Sequence, residues 1–399
     1  MKIFDTRSNQ YQELILDQKK TINIYECGPT VYDHIHLGNV RPLLIADIII
    51  NFLQYKKQKY NYLLNITDID DKIIAKAKKE KKTEKEISAY FQKQFLDIYR
   101  RLNLNFPSKI LKVTNHINNI KKDIQYLLDK NVAYFDDDNI YFQIDKFLLY
   151  NQISKNKLVN LRLIKARNKQ LGKNNFDFAL WKKTNVGQKW NFDNISGRPG
   201  WHLECASFIA HYFQETIDLH LGGVDLKFPH HENERAIFYF LKNHQEISRI
   251  FFHNGHVLLN KLKMSKSLQN CLYVKDFLCK YDANVIKYLF LLNSCLKPLN
   301  FNEEIFTFSQ NEINKIQNLS NQIQLIPSLN WKKIITKNDN SYLQKFLGYL
   351  ENNLNFPNCL MVLNQLIKEI KKNFQDKSYN SNLIDQFWMM LKLLGLKFK

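Results

Sequence analysis

Apolar and polar positions alternate over residues 21–25, the period of a half-buried strand, and the run ends in the turn Cys27-Gly28-Pro29. An apolar helix is predicted over 42–55. A second strand over 60–66 closes on the acidic cluster Thr67-Asp68-Ile69-Asp70-Asp71. Strand, loop, helix and strand over this span describe a βαβ unit of a parallel sheet. Thr83 with Glu86 three residues later forms a capping box, after which Ile87, Phe91, Phe95, Ile98 and Leu102 recur on one helical face. Over 106–195 the rhythm dissolves into lysine- and asparagine-rich segments with short strands such as 139–143, the pattern of an insertion between two halves of a sheet. The βα rhythm returns over 200–252, with a strand at 217–221 and a helix opening near Pro229. Beyond Phe301 the periodicity is helical. Ile313, Ile316, Leu319, Ile323 and Ile326 share one face, Leu360, Leu363, Ile367, Ile370 and Phe374 another, and lysines occupy the outer faces. There is no internal repeat and no long linker.

Composition narrows the function classes. The 399 residues are 45% apolar and 24% charged, the balance of a folded chain. Lys+Arg 58 against Asp+Glu 38 leaves a net charge of +20, which attracts polyanions such as nucleic acid or an anionic membrane surface. No segment reaches the roughly 18–20 uncharged apolar residues of a membrane span, since 43–53 is broken by Asp47 and Asn51. The N-terminus lacks the apolar core of a secretory signal. Six scattered cysteines are not a disulfide framework, so a cytoplasmic location is expected. Only 11 glycines occur where a chain of this length carries roughly 28. Seven of them fall at Gly28 and Gly38, at Gly197 and Gly200, at Gly222 and Gly223, and at Gly255, which marks these loops as candidate sites.

Three segments carry the chemistry. The loop over 27–39, Cys-Gly-Pro-Thr-Val-Tyr-Asp-His-Ile-His-Leu-Gly-Asn, joins the first strand to the first helix. In an open parallel sheet ligands bind beyond the carboxyl ends of the strands, and the N–H groups opening the next helix suit phosphate. Gly38 lets backbone approach a ligand, and His34 or His36 can donate to phosphate oxygens. The loop is neither GxGxxG nor a Walker loop. The second segment, Lys-Leu-Lys-Met-Ser-Lys-Ser over 261–267, is basic and hydroxylated, as a pyrophosphate clamp would be. The third is a set of soft donors. Cys27 ends the first strand, Cys205 follows Gly-Arg-Pro-Gly-Trp-His-Leu-Glu, and His230 and Glu234 stand four apart on one helical face. Two thiolates, an imidazole and a carboxylate are ligands zinc accepts, whereas the HExxH of a metalloprotease is absent. Spacing alone does not choose between His230 and His231.

The segments Cys-Gly-Pro-Thr-Val-Tyr-Asp, Asn-Ile-Thr-Asp-Ile-Asp-Asp-Lys (65–72), Gly-Arg-Pro-Gly-Trp-His-Leu-Glu-Cys, Gly-Gly-Val-Asp-Leu-Lys-Phe-Pro-His-His-Glu-Asn-Glu and Lys-Met-Ser-Lys-Ser occur in this order. In order and spacing the chain resembles the cysteinyl-tRNA synthetases of class I over about residues 1–310. The resemblance implies an α/β fold: a Rossmann-like parallel sheet with an inserted connective domain, followed by an all-α bundle. It divides the chain into a first catalytic half at 1–105, the insertion at 106–195, the second half with the metal ligands at 196–255, the Lys-Met-Ser-Lys-Ser loop and stem-contact region at 256–310, and a tRNA-binding bundle at 311–399.

The same resemblance implies a cytoplasmic, monomeric enzyme that joins L-cysteine to tRNA(Cys) through an adenylate made from ATP. Zn2+ is expected on Cys27, Cys205, His230 and Glu234, and Mg2+ with ATP. His36, Lys263 and Lys266 are the expected catalytic groups, with Thr30, Gly38, Asn39 and Ser265 completing the nucleotide site. Thr67, Trp201 and His220, together with Asp68, are expected near the amino acid or its adenylate.

Two departures stand out: His-Leu-Gly-Asn (36–39) replaces the family's His-Ile-Gly-His, and Gln269 replaces a glycine. The ending at 399 leaves the family's anticodon-reading module unrepresented, so tRNA identity is expected to rest on the acceptor arm and the bundle. The competing readings are a ligase that joins cysteine to an amino-sugar through the same adenylate, and an inactive zinc-stapled tRNA-binding module. Glu234 and the basic charge favour tRNA over the amino-sugar, and intact His36, Lys263 and Lys266 favour an active enzyme.

Overall fold

The structure, a computed structural model, describes residues 1–156, 176–264, 270–325, 341–376 and 379–398. Its centre is a five-stranded parallel sheet in the order Ser248–Asn254, Ile217–Gly223, Thr21–Glu26, Lys59–Ile66, Lys109–Lys112. Strand alternation sends successive side chains to opposite faces. Ile22, Ile24, Tyr62, Leu64, Leu219, Leu221, Ile250 and Phe252 pack with helix Leu37–Tyr55 and the C-terminal helices. Tyr25, Leu63 and Phe251 pack on the other side with Leu203, Cys205 and Phe208 of helix Trp201–Tyr212 and with Ala236 and Ile237 of helix Glu232–Leu241. The carboxyl ends of the strands therefore lie between two cores, and the loops that leave them meet at one edge of the sheet.

Helix Leu37–Tyr55 begins five residues before the expected position 42. Proline usually marks a first helical turn, but here Pro42 sits in the second, because His36 and Asn39 form a capping box that holds the turn before it. The helix expected near Pro229 begins later, as Glu232–Leu241, preceded by a wide turn at Lys227–His231. Phe228 there is extended (φ −141°, ψ 134°), the backbone region a residue before proline prefers.

The insertion forms an antiparallel sheet in the order Ala133–Asp136, Asn139–Phe142, Phe178–Lys183, Ile195–Pro199, Trp190–Phe192. Its borders interlock with the parallel sheet: Lys109–Lys112 is an edge strand of the latter, and Ile195–Pro199 belongs to the former, leading through Gly200 into helix Trp201–Tyr212. Val257–Leu259 pairs with Leu262–Lys263 and Leu299–Phe301 in a small third sheet. Helices Glu303–Gln324, Ser341–Glu351, Phe356–Gln375 and Ser381–Leu393 complete the chain. Their expected apolar positions are buried or partly buried, except Ile326, which lies outside the described residues. Among the described residues no helix is long and apolar enough to cross a membrane.

Candidate metal centre and nucleotide loops

Cys27 follows the middle strand, Thr21–Glu26, and Gly28 lets the chain turn beside the next strand. A Cβ on Gly28 would lie 1.7 Å from the Asn65 carbonyl oxygen, while its N–H donates to Asn65 Oδ1 at 2.8 Å. Cys205 comes from the second turn of helix Trp201–Tyr212, and His230 and Glu234 flank the start of helix Glu232–Leu241. Cys27 Sγ lies 3.8 Å from Cys205 Sγ and 3.4 Å from Glu234 Oε1. Cys205 Sγ is 3.6 Å from His230 Nε2, which is 2.7 Å from Glu234 Oε1. All four donor atoms fall within 4.8 Å of one another.

The sulfurs are far beyond the roughly 2.05 Å of a disulfide and are unpaired thiols. Their separation matches the roughly 3.8 Å edge of a tetrahedron whose arms are zinc–sulfur bonds of about 2.3 Å. A second set, Cys27, His220, His231 and Glu234, is equally compact. It has one thiol rather than two. The two-thiol set suits a thiophilic ion better, and it is the set that contains His230.

Electrostatics show how the donors hold one another. Burial acts against charge on Glu234, but His230, His220 and His231 outweigh it and keep the carboxyl well below its usual range. Burial likewise opposes charge on His230, yet Glu234 and Cys205 push it up to about 10. Burial, then Cys205 and Glu234, raise the Cys27 thiol. A divalent cation would replace protons held by these groups.

Around the four donors stand several residues named from the sequence. Trp201 is 39% exposed and stacks on the His230 ring at 3.9 Å and 14°, so it forms a wall rather than a core contact. His220 is buried, with Nε2 2.7 Å from Glu234 Oε2, and so braces the carboxylate. Thr67 is buried too; its hydroxyl donates to Glu204 Oε2 at 3.1 Å, and its backbone forms a bridge with Thr30. The Asp68 carboxylate accepts from the Thr114 N–H and hydroxyl, which makes it a loop anchor. Reading the sequence missed His202, Glu204 and His253. His202 Nδ1 lies 3.1 Å from the Nδ1 of His230, on the side of the ring away from the cluster.

The nucleotide loop is built as a helix cap. His36 is the N-cap of helix Leu37–Tyr55, and its Nδ1 accepts from the Gly38 N–H at 3.1 Å. A neutral ring in this arrangement carries its proton on Nε2. Asn39 Oδ1 accepts from the His36 N–H at 3.1 Å. A Cβ on Gly38 would lie 2.9 Å from the His36 ring, so glycine lets the ring fold over the helix start. His34 instead packs edge-on among Tyr90, Phe91 and Tyr273, which separates the two candidate histidines.

The second loop is tied to the first. Leu37 N donates to Leu272 O at 2.9 Å and Val274 N to Ile35 O at 3.1 Å. Lys263 is exposed, and its carbonyl accepts from Asn270 Nδ2 at 3.0 Å. Ser265, Lys266 and Gln269 lie outside the described residues.

Residues 14–311 match the family described as tRNA synthetases class I (C) catalytic domain. The cysteine–tRNA ligase of Mycoplasma mycoides subsp. mycoides is 42% identical over 391 residues, 96% of this chain and 87% of that protein. That of Ureaplasma parvum serovar 3 is 40% identical over 407 residues, 100% of this chain and 91% of that one. Among solved structures, Mycobacterium tuberculosis methionyl-tRNA synthetase in complex with methionyl-adenylate superposes with a TM-score of 0.66 at 12% identity, covering 94% of this chain and 89% of that one, a likeness of fold. The chain belongs to the cysteine–tRNA ligase family of class I tRNA synthetases.

Proposed function

We propose that the chain activates L-cysteine with ATP to cysteinyl-adenylate and transfers the cysteinyl group to tRNA(Cys), with Zn2+ at the Cys27–Cys205–His230–Glu234 site and Mg2+ accompanying ATP. The observation that carries this reading is the convergence of two thiols, an imidazole and a carboxylate beneath a wall made by Trp201. Bound there, zinc supplies a soft Lewis acid that favours a thiolate over a serine hydroxyl or an alanine methyl. Selection by one such contact is worth ~10⁴–10⁵, which makes a separate editing domain unnecessary.

In the first step the substrate carboxylate attacks the α-phosphorus of ATP and pyrophosphate leaves. The Nε2–H of His36 and the opening turn of helix Leu37–Tyr55 stabilise charge on the α-phosphate, and Thr30, Gly38 and Asn39 border the nucleotide. Lys263, Ser265 and Lys266 hold the departing pyrophosphate. This is positioning and electrostatic stabilisation. Thr67, Trp201 and His220 shape the amino-acid pocket. In the second step a terminal ribose hydroxyl of tRNA attacks the acyl carbon and AMP leaves. The net charge of +20 favours a partner with a phosphate backbone, and cysteines that form no disulfide among the described residues suit a reducing cytoplasm.

The test combines metal analysis, cysteine-dependent ATP–pyrophosphate exchange, and charging with cysteine and with serine. The expected result is about one zinc per chain, exchange with cysteine, and transfer to tRNA but not to an amino-sugar. Exchange followed by transfer to the amino-sugar alone would replace tRNA in this reading. Absence of cysteine-dependent exchange would leave a binding module.

A further inference from the structure

Arg41 sits in the second turn of helix Leu37–Tyr55, shortly after the His36 cap, and its long side chain is wholly buried. Burial draws its pKa down to about 10, so the guanidinium keeps its charge at neutral pH. Its hydrogen bonds run to main-chain carbonyls. Nη1 donates to Gly255 O at 2.7 Å and to His256 O at 3.3 Å, and Nη2 donates to Ser294 O at 2.9 Å. Burying a charge is costly, and an apolar side chain would pack this helix without the cost; what it could not do is hold these carbonyls. Gly255 and His256 link strand Ser248–Asn254 to Val257–Leu259, the first strand of the hairpin that carries Lys263. Ser294 lies in the loop before Leu299–Phe301, the strand on the other side of Val257–Leu259.

The two loops cross at close quarters. Gly255 N donates to Cys295 O at 2.9 Å and Leu299 N to His256 O at 2.9 Å, and a Cβ on Gly255 would lie 2.5 Å from the carbonyl carbon of Lys297. The hairpin in turn lies against the cap, since a Cβ on Gly38 would be 3.9 Å from Val257 Cβ. We propose that Arg41 is a positioning residue for the nucleotide site, its guanidinium pinning the root of the Lys263 hairpin to the helix that His36 caps. The inference rests on the function proposed above and adds a residue that touches neither ATP nor cysteine. His36 and Lys263 belong to separate elements, and they act on one triphosphate only if the gap between those elements is fixed. The planar fork of a guanidinium reaches carbonyls of both loops at once, which a single ammonium or an apolar side chain cannot do. A misplacement of about 1 Å in such a gap costs about 10²-fold in rate.

The experiment uses the full chain with Arg41→Lys, which keeps a charge and gives up the fork, alone and combined with Lys263→Ala. Cysteine-dependent ATP–pyrophosphate exchange is measured per competent site, counted by adenylate formation. Arg41→Lys is expected to lower kcat about 10²-fold and raise the KM for ATP about threefold, while the KM for cysteine and the metal content stay as in the parent. In the Lys263→Ala background the same change is expected to cost no more than about tenfold, because the side chain whose placement it spoils has already gone. Hydrogen exchange supplies a readout independent of activity. Amides of 255–264 and 295–301 are expected to exchange faster in Arg41→Lys, and those of strands Thr21–Glu26 and Lys59–Ile66 to keep the parent's protection. Gly255→Ala is the second variant. It leaves Arg41 in place but forces the two loops apart through its Cβ, and it is expected to give the same pattern of lowered kcat, unchanged KM for cysteine and faster exchange at the hairpin.

Parent-like kcat, or parent-like protection of the hairpin amides, in Arg41→Lys overturns the role of Arg41 and leaves the proposed function standing. A loss as large in the Lys263→Ala background as in the parent overturns it too, since Arg41 would then serve the fold and not the hairpin. If Arg41→Lys does not fold, Gly255→Ala decides, and parent-like exchange rates there overturn the proposal. A parent without cysteine-dependent exchange overturns the proposed function itself, and with it the positioning role, while hydrogen exchange still reads the hold of Arg41 on the hairpin; the two failures stay apart.

Discussion

The floor of the site and its rim are built on opposite plans. At the floor, Cys205, His230 and Glu234 are buried, Cys27 is half-buried, and the four come from a strand end, a helix interior and the start of a second helix, so each is fixed by its own core contacts. At the rim, His36, Gly38 and Asn39 are half-buried or exposed and Lys263 is exposed, all on a helix cap or a short hairpin. The difference follows from the two tasks. Telling sulfur from oxygen requires donor atoms held at fixed separations in a dry environment, where an uncompensated charge is costly. Handling a triphosphate requires N–H groups and cations that can take up a strongly hydrated ligand and release it. On the proposed function, selection is a property of the core and transfer a property of the surface, and the two ought to fail independently.

The sharpest attempt to break that separation is Cys205→Ser. Exchanging one sulfur for oxygen leaves the site with a single thiol. Metal content is expected to fall well below one per chain, and the preference for cysteine over serine in pyrophosphate exchange to drop by roughly 10⁴. Nucleotide binding alone, measured with a non-hydrolysable ATP analogue, should remain near the parent. The reverse case is His36→Ala. Loss of one preorganised donor to a developing phosphate charge lowers kcat by about 10²–10³, while metal content and the choice of cysteine over serine stay as in the parent. If either variant damaged both properties, floor and rim would be coupled.

Much of this division was legible in the chain before any coordinates. The βαβ rhythm and the bundle faces came from periodicity, because one-sided burial leaves a period behind, and the capping box at Thr83 and Glu86 came from a local motif. Two helix starts were displaced, and in both cases a proline drew the reading: at Pro42 a histidine cap outweighed it, and at Pro229 the extended backbone of Phe228 delayed the helix. The proposed metal donors were legible only as a set supplied by resemblance. Cys27 and Cys205 are 178 positions apart, and no local pattern encodes a contact at that distance. Spacing does not choose between His230 and His231, which lie on the same turn; the folded chain places His230 in a set with two thiols and His231 in a set with one.

Acidity offers a third way to separate floor from rim. His230 is pushed up to about 10, with burial opposing and Glu234 and Cys205 prevailing, and the Cys27 thiol is raised further from neutrality by burial. Around neutral pH both groups hold protons that a cation must displace, so metal affinity rises with pH. Each displaced proton contributes about tenfold per unit, and Co2+ affinity is expected to increase at least about 10²-fold between pH 6 and pH 8. A flat profile over that interval would mean the donors are already deprotonated.

The smallest expected effect tests the rim against itself. Asn39 stands where the family has histidine, and its carboxamide oxygen closes the capping box on the His36 N–H while Gly38 closes the other half on the ring. Removing that acceptor with Asn39→Ala leaves the His36 ring in place but loosens the backbone beneath it. A capping contact is worth about 1 kcal/mol, so the variant is expected to lose about that much stability in denaturant unfolding and to weaken ATP binding by about fivefold, with metal content unaltered. Asn39→Asp separates the two contributions of the amide. A carboxylate still accepts from His36 and is favoured by the helix dipole, so stability is retained, but it repels the triphosphate and cannot donate to it. ATP affinity should then fall further in Asn39→Asp than in Asn39→Ala. If Asn39→Asp bound ATP as well as the parent, Asn39 would serve the helix alone, and the nucleotide would rest on the backbone N–H groups of the helix and the imidazole of His36.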